Sequence, residues 1–387
     1  MSVSLEQKIK KIARAINKKY HPQGDGFVVQ TEDSAKCAKN MVFSSGSISL
    51  DYALGIGGYR KGRNYEIYGQ EGSGKTTIAL HAIAEAQKFN KERGEDKAVL
   101  FVDAEHALDL TYAESIGVDI NPYRLVVCSP DYGEQALETV LNFLKQDVIN
   151  MFVVDSVAAL VPKAEFDGSM EDQQMGEQAR LMGKGMRKIT GLMRKNDVAG
   201  IWINQVREKV GVVYGNPETT PGGRALKFFT SVRMAVNSKK PSDSADKEIK
   251  SIMKVSIPKN KLAPPYRVAE LDVVFGKGFD SFKDIVNFSV ERGIIQKNGS
   301  WYSYEDEQLG QGVDNTKLLL KDNPELLEKI KNEAYALLNK ECFGISSEEG
   351  VGEEILQKEE DVNAEEMGKI DSIVEEIEEI EEIEELI

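Results

Sequence analysis

Cysteine is scarce in this chain: Cys37, Cys128 and Cys342 stand far apart among 387 residues. No C-x-x-C pair occurs, which argues against a zinc site or a disulfide framework and makes a reduced, cytoplasmic setting the expectation. No apolar run is long enough to span a bilayer, so no membrane partner is expected. Met1 to Ile16 lacks the apolar core of a secretory signal and carries several lysines instead. An excess of basic residues is also missing: 49 Lys+Arg face 64 Asp+Glu, a net charge of −15. That balance misleads if taken whole. Residues 348–387 hold 18 acidic and 2 basic side chains, a local charge of −16, which leaves +1 for residues 1–347. The acidity of the whole therefore excludes no nucleic-acid partner, because the field at a binding groove is local. Hydrophobic residues make up 41% of the chain, enough for an ordinary buried core.

What is present is sharper. Gly69-Gln70-Glu71-Gly72-Ser73-Gly74-Lys75-Thr76-Thr77 fits the pattern G-x-x-x-x-G-K-[ST] at every fixed position. Asn64–Tyr68 before it reads as a strand, and Ile78–Ala86 after it as the start of a helix. Glycines let the backbone wrap a phosphate without Cβ clashes, and amide N–H groups with the helix N-terminus point at the anion. Lys75 is expected to reach the β- and γ-phosphates, and the Thr76 hydroxyl to ligate Mg²⁺. The alternative, a chance glycine-rich turn, does not account for Lys-Thr at the right place between the right flanks. A nucleoside triphosphate with Mg²⁺ is the expected ligand pair.

Three apolar runs follow, Ala98–Asp103, Asn150–Asp155 and Gly200–Gln205. Such runs fit buried parallel strands, and the helical patterns Gly133–Lys145 and Gln174–Arg194 lie between them. The fold class is α/β, a phosphate-loop core on a mostly parallel central sheet. Leu5–Tyr20 reads as a helix with one apolar face, which packs either on its own domain or on a neighbouring subunit. Beyond Phe279 the pattern changes: a helix over Ser281–Arg292, a small hairpin around Trp301–Tyr304, and a helix opened by Pro324 and running through Leu338. The expected divisions are 1–43 (helix and linker), 44–280 (core), 281–345 (small α+β domain) and 346–387 (acidic tail). The tail's period of three keeps no stripe on a helix, and its glutamates repel, so no fixed structure is expected there.

Asp155 closes an apolar run, where a carboxylate at the strand's C-terminal end can hold Mg²⁺ directly or through water; the bland alternative is a helix cap. Glu105 lies just past Asp103, placed to orient a water in line with the γ-phosphate. Gln205 ends the third run and can hydrogen-bond the γ-phosphate. After it comes Val206–Arg224, glycine-rich and aperiodic, too long for a plain connector. It mixes Arg207, Lys209 and Arg224 with Val210 and Tyr214, a composition suited to phosphates and bases. A shorter loop, Pro162–Gln174, precedes a helix carrying Met175 and Arg180. Composition alone favours mobile surface loops for both.

Together these residues resemble the bacterial RecA recombinases, from about Ser44 to Leu338. The matching stretches are Gly46–Asp51, the phosphate loop, Val102–Asp109, Val154–Leu160, Ile203–Gln205, Gly215–Thr220, Gly222-Gly223, Ala225–Phe228, Lys259–Lys261, Trp301–Tyr304 and Gly310–Gly312. The resemblance implies that Glu105 activates water, that Glu71 helps position the attack, and that Asp109 and Tyr112 contact adenine. Gln205 becomes a switch between γ-phosphate and the following loop. Lys259 and Lys261 reach the ATP of an adjacent subunit. Met175, Arg180, Arg207, Lys209, Val210, Gly222 and Gly223 match DNA-contacting positions, and the N-terminal helix docks on a neighbour to build a homo-oligomeric helical filament. The implied activity is a DNA-dependent ATPase that binds single-stranded DNA, pairs it with homologous double-stranded DNA, and assists self-cleavage of a LexA-like repressor. Departures fall at Tyr20–Asn40, Tyr59-Arg60-Lys61, Val210, Tyr214, Pro221 and Asn237–Lys250. Two other readings stay open: a helicase or repair ATPase on the same core, and a filament scaffold that binds ATP without useful turnover. The tail is either a brake that competes with DNA phosphates or a solubilising segment.

Overall fold

The computed structural model describes residues 41–169, 176–208, 218–239, 250–305 and 307–343. Internal contacts divide the chain into Met1–Phe343 and Gly344–Ile387, and the second unit lies outside the described residues, as does the expected helix Leu5–Tyr20.

The chain begins with β1 (Val42–Phe43), α1 (Ile48–Leu54) and β2 (Tyr59–Arg60), β2 pairing antiparallel with β1. Ser47 caps α1 by accepting from the Leu50 N–H at 3.1 Å, and Gly55 ends it at φ 78°. The core then alternates: β3 (Asn64–Gly69), α2 (Lys75–Arg93), β4 (Ala98–Asp103), α3 (Leu110–Ile116), β5 (Leu125–Cys128), α4 (Gly133–Gln146), β6 (Ile149–Asp155), α5 (Lys163–Asp167), α6 (Glu177–Lys195) and β7 (Ala199–Gln205). Every residue of β6 is buried, because helices cover both faces of the sheet. In α6 the buried residues Met182, Gly185, Met186, Ile189 and Met193 recur at helical spacing. Each large one contributes about 1.5–3 kcal/mol of burial. The first residues of the expected helix Gln174–Arg194 fall outside the described segments.

The segment read as one aperiodic loop contains β8 (Arg207–Glu208), β9 (Glu218–Thr219) and the start of α7 (Gly223–Phe229). β8 pairs antiparallel with β9, a two-residue stem that closes the loop. Next come β10 (Val232–Lys239), β11 (Lys250–Asn260), β12 (Val268–Val274) and β13 (Gly278–Phe279). The nine-stranded sheet has the order β13-β12-β11-β10-β3-β7-β6-β4-β5. It is parallel from β10 through β5 and antiparallel from β10 through β13. In the antiparallel extension β12 alternates exposed and buried residues, the signature of a sheet with one wet face.

The remaining elements are α8 (Ser281–Glu291), β14 (Gln296–Asn298), β15 (Trp301–Tyr304), β16 (Glu307–Gln311), α9 (Val313–Asp322) and α10 (Pro324–Phe343). The single hairpin expected near Trp301 is in fact a three-stranded sheet. Its third strand, mostly polar with Gly310 inside, carries no alternation to betray it. α10 runs five residues past the expected Leu338. Two apolar clusters cover the faces of the large sheet, and a third joins Ile48 of α1 to α8, β15, α9 and α10.

Candidate functional site

The phosphate loop leaves β3 at Gly69, where a Cβ would lie 2.2 Å from Val236 O. Gly74, at φ 91°, would put a Cβ 2.2 Å from the Met253 Cε. The loop is thus pressed against β10 and β11: the Val236 carbonyl leaves no room for a Cβ at Gly69, and the positive φ favours glycine at Gly74. Lys75 opens α2, and its Nζ donates to Gln70 O at 2.7 Å. Burial lowers its pKa, against the opposing pull of Asp155, Glu105 and Glu71. The Ser73 hydroxyl is buried with no partner among the described residues, an orphan that an anion in the loop would satisfy.

Parallel strands bring the other groups to the same edge. Asp155 ends β6 and accepts from Thr76 Oγ1 at 2.7 Å. Burial, with the Glu105 and Asp103 carboxylates adding to it, pushes Asp155 up to about 6 despite the Thr76 bond. The donors, the Thr76 hydroxyl and the Asp155 carboxylate, are hard oxygens, which fits Mg²⁺, an ion that takes one or two protein oxygens and completes its shell with phosphates and water. Asp103 ends β4, and its carboxylate accepts the Ala107 and Leu108 N–H groups at 3.2 and 3.0 Å, fixing the turn that carries Glu105. Glu105 Oε1 accepts from the Ser156 hydroxyl and from Gln205 Nε2, the latter at 2.9 Å. The Asp155–Ser156 peptide is cis.

A cavity of about 660 Å³ joins these groups, lined by Glu71 to Thr77, Glu105, Asp155 and Gln205. Asp109 and Tyr112 line it too. Asp109 is also the N-cap of α3, accepting the Tyr112 N–H at 3.1 Å, and the Tyr112 hydroxyl meets Thr77 Oγ1 at 3.1 Å. The opposite wall was not legible in the sequence: Ser238, Ser251, Met253, Phe275 and Gly276 come from β10, β11 and the turn after β12. Phe275, 57% exposed, is part of this wall beside Gly276, whose carbonyl accepts from the Ser115 hydroxyl at 2.9 Å. Alternation ending in Phe-Gly-Lys-Gly marks the turn in the sequence, but nothing local says which pocket it meets.

Lys259 and Lys261 do not line this cavity. Lys259 Nζ donates to Lys227 O and, at 2.8 Å, to Thr230 O, while Lys261 Nζ donates to Phe228 O at 2.9 Å. They sit on the carbonyls at the end of α7, where cations are favoured. Burial, with Lys261 and Arg233 adding to it, lowers Lys259 to about 8. Of the expected DNA contacts, Met175, Lys209, Val210 and Tyr214 lie outside the described residues, as does 240–249 of the Asn237–Lys250 segment. Arg180 on α6, Arg207 on β8 and Arg224 on α7 are exposed. Gly222 precedes α7, and a Cβ on Gly223 would lie 2.7 Å from the Ala179 Cβ, so these glycines let α7 pack against α6.

Comparison with known proteins follows the same lines. The RecA N-terminal domain model matches residues 7–280 and the RecA C-terminal domain model residues 283–339. Protein RecA of Thermus aquaticus is 48% identical over 346 residues, 89% of this chain and 99% of that protein. Protein RecA of Bacteroides thetaiotaomicron is 46% identical over 86% of this chain and 98% of its own length. Among solved structures, the RadB recombinase aligns with a TM-score of 0.44 at 21% identity, over 61% of this chain and 97% of that one. By its two family domains and these identities, the chain belongs to the bacterial RecA family.

Proposed function

We infer that this chain is a DNA-dependent ATPase that assembles on single-stranded DNA, pairs it with homologous duplex, and so serves recombination and DNA repair in the cytoplasm. The observation that carries the reading is the Gln205–Glu105 hydrogen bond. Gln205 touches the pocket with its side chain and, two residues on, its strand becomes the stem of the loop expected to meet DNA. No helix among the described residues is long and apolar enough to cross a membrane.

Lys75 and the loop amides hold the phosphates, and Tyr112 and Phe275 flank the nucleoside end. Thr76 and Asp155 would hold Mg²⁺, which when bound would supply positive charge against the phosphate oxygens. Glu105 orients the attacking water and takes its proton; its bonds from Ser156 and Gln205 hold the carboxylate in place. Gln205 senses the γ-phosphate, so a change at the loop stem alters the partner of the catalytic carboxylate. Arg180, Arg207 and Arg224 neutralise DNA phosphates, which makes binding salt-sensitive and weakly sequence-specific. Lys259 and Lys261, away from their own pocket, serve a neighbour's nucleotide.

The test is ATP turnover with and without single-stranded DNA, beside Lys75→Ala. Strong stimulation that is lost in the variant supports the reading. High turnover without DNA, or none with it, moves the helicase or scaffold reading ahead.

A further inference from the structure

Beneath the loop stem lies a buried polar cluster that the pocket does not use. Its centre is Glu66, inside β3, three residues before Gly69 and wholly inaccessible to solvent. Its Oε2 accepts from Arg233 Nε on β10 at 2.5 Å. Its Oε1 accepts from Asn204 Nδ2 on β7 at 3.1 Å. β10 and β7 are the two strands that flank β3. Asn204 is itself buried and fully engaged: Nδ2 also donates to Pro221 O at 3.1 Å, and Oδ1 accepts the Gln205 N–H at 3.0 Å. Arg233 also reaches Thr220 Oγ1 at 3.5 Å and lies over the Tyr68 ring, 4.3 Å from its centroid.

A carboxylate at this depth carries a large desolvation cost, and packed apolar residues serve stability as well or better. What Glu66 does, and an apolar residue cannot, is hold two donors in fixed directions at once. Through Asn204 it sets the Gln205 amide and the Pro221 carbonyl. Through Arg233 it sets Thr220. The returning side of the loop stem and the residue that meets Glu105 are therefore registered against one carboxylate.

We propose that Glu66 is a positioning residue that couples the loop stem to Gln205, and hence to the orientation of Glu105. The proposal rests on the DNA-gated ATPase reading above. A displacement of Thr220 and Pro221 loads the same carboxylate that holds Asn204, and Asn204 carries it to the Gln205 backbone. Glu66 touches neither nucleotide nor water.

The experiment compares wild type, Glu66→Met and the double variant Glu66→Met/Arg233→Met. A merely structural role predicts that the single change destabilises by leaving Arg233 unpaired, and that the double change restores both thermal stability and DNA stimulation. The positioning role predicts that the double variant regains stability and keeps its DNA-free turnover and KM, yet loses DNA stimulation by about tenfold. Amide exchange supplies a readout that needs no DNA: in the double variant, exchange at Gln205 and Thr219 quickens together while the β6 amides stay as in wild type. Wild-type stimulation, or wild-type exchange at Gln205, in the folded double variant overturns the proposal. Should the double variant fail to fold, Glu66→Gln, which keeps the volume but cannot accept from both donors, carries the same exchange test. A wild-type chain that ignores DNA sinks the parent reading, and the exchange measurement still decides the role of Glu66.

Discussion

His81 lies on α2 behind the phosphate loop and is 9% exposed. Its Nε2 accepts the Phe279 N–H at 2.9 Å, and its ring stacks on Phe279 at 3.8 Å, 2° from parallel. Protonation at Nε2 would face a donor with a donor and bury a charge. Burial accordingly lowers its pKa from 6.5 to about 4. The unfolded chain takes up this proton near 6.5 and the folded chain only near 4, so between those values the unfolded state binds more protons. Stability from His81 is therefore complete above pH 6.5 and declines as the pH falls toward 4. The loss is about 2 kcal/mol at pH 5 and about 3 kcal/mol below pH 4. Asp51 and Asp155, raised by burial to about 7 and about 6, act in the opposite direction. A wild-type profile alone thus hides the histidine. His81→Gln isolates it, since the Gln Oε1 still accepts from Phe279 and the carboxylates are common to both proteins. Urea unfolding, followed by the fluorescence of the fully buried Trp202, should show the stability of wild type relative to the variant falling by about 2 kcal/mol from pH 7.5 to pH 5. Parallel profiles would refute the reasoning.

Other perturbations address the chemistry. Glu105→Gln should lower kcat by about 10²–10³-fold while nucleotide binding is retained; a fall in affinity with kcat intact would remove the water-orienting role. Phe275→Ala should raise the KM for ATP by about 3–10-fold with little change in kcat, and an unchanged KM would take Phe275 off the nucleoside wall. Lys259→Ala/Lys261→Ala should lose DNA-stimulated turnover alone and recover part of it when mixed with Lys75→Ala, because each subunit supplies what the other lacks. Mixtures no more active than their components would exclude service across subunits.

The legible parts of the site share a physical property. Gly69 to Thr77 carries its chemistry in contiguous spacing. Asp155 and Gln205 close apolar runs, and parallel strands deliver their C-terminal ends to one edge whatever the order of the strands. Met253, Phe275 and Gly276 have no such property. They reach the pocket only because β10 pairs with β3 in a register that sets Val236 beside Gly69 and brings the antiparallel strands after it. That register lies in contacts between segments more than 150 residues apart, which no local period encodes. Glu66 was hidden for the same reason: within Asn64–Tyr68 it reads as a polar break in a strand, and its partners Asn204 and Arg233 are distant in sequence.

β11 runs from the cavity wall to Lys259. Ser251 lines the cavity, and Lys259 stands eight residues farther along the same strand, about 26 Å at the rise of an extended chain. β10 and β12 pair with it on both sides. The strand is a ruler. On the proposed reading that Lys259 and Lys261 serve a neighbour's nucleotide, that nucleotide stands about one strand length from this chain's own.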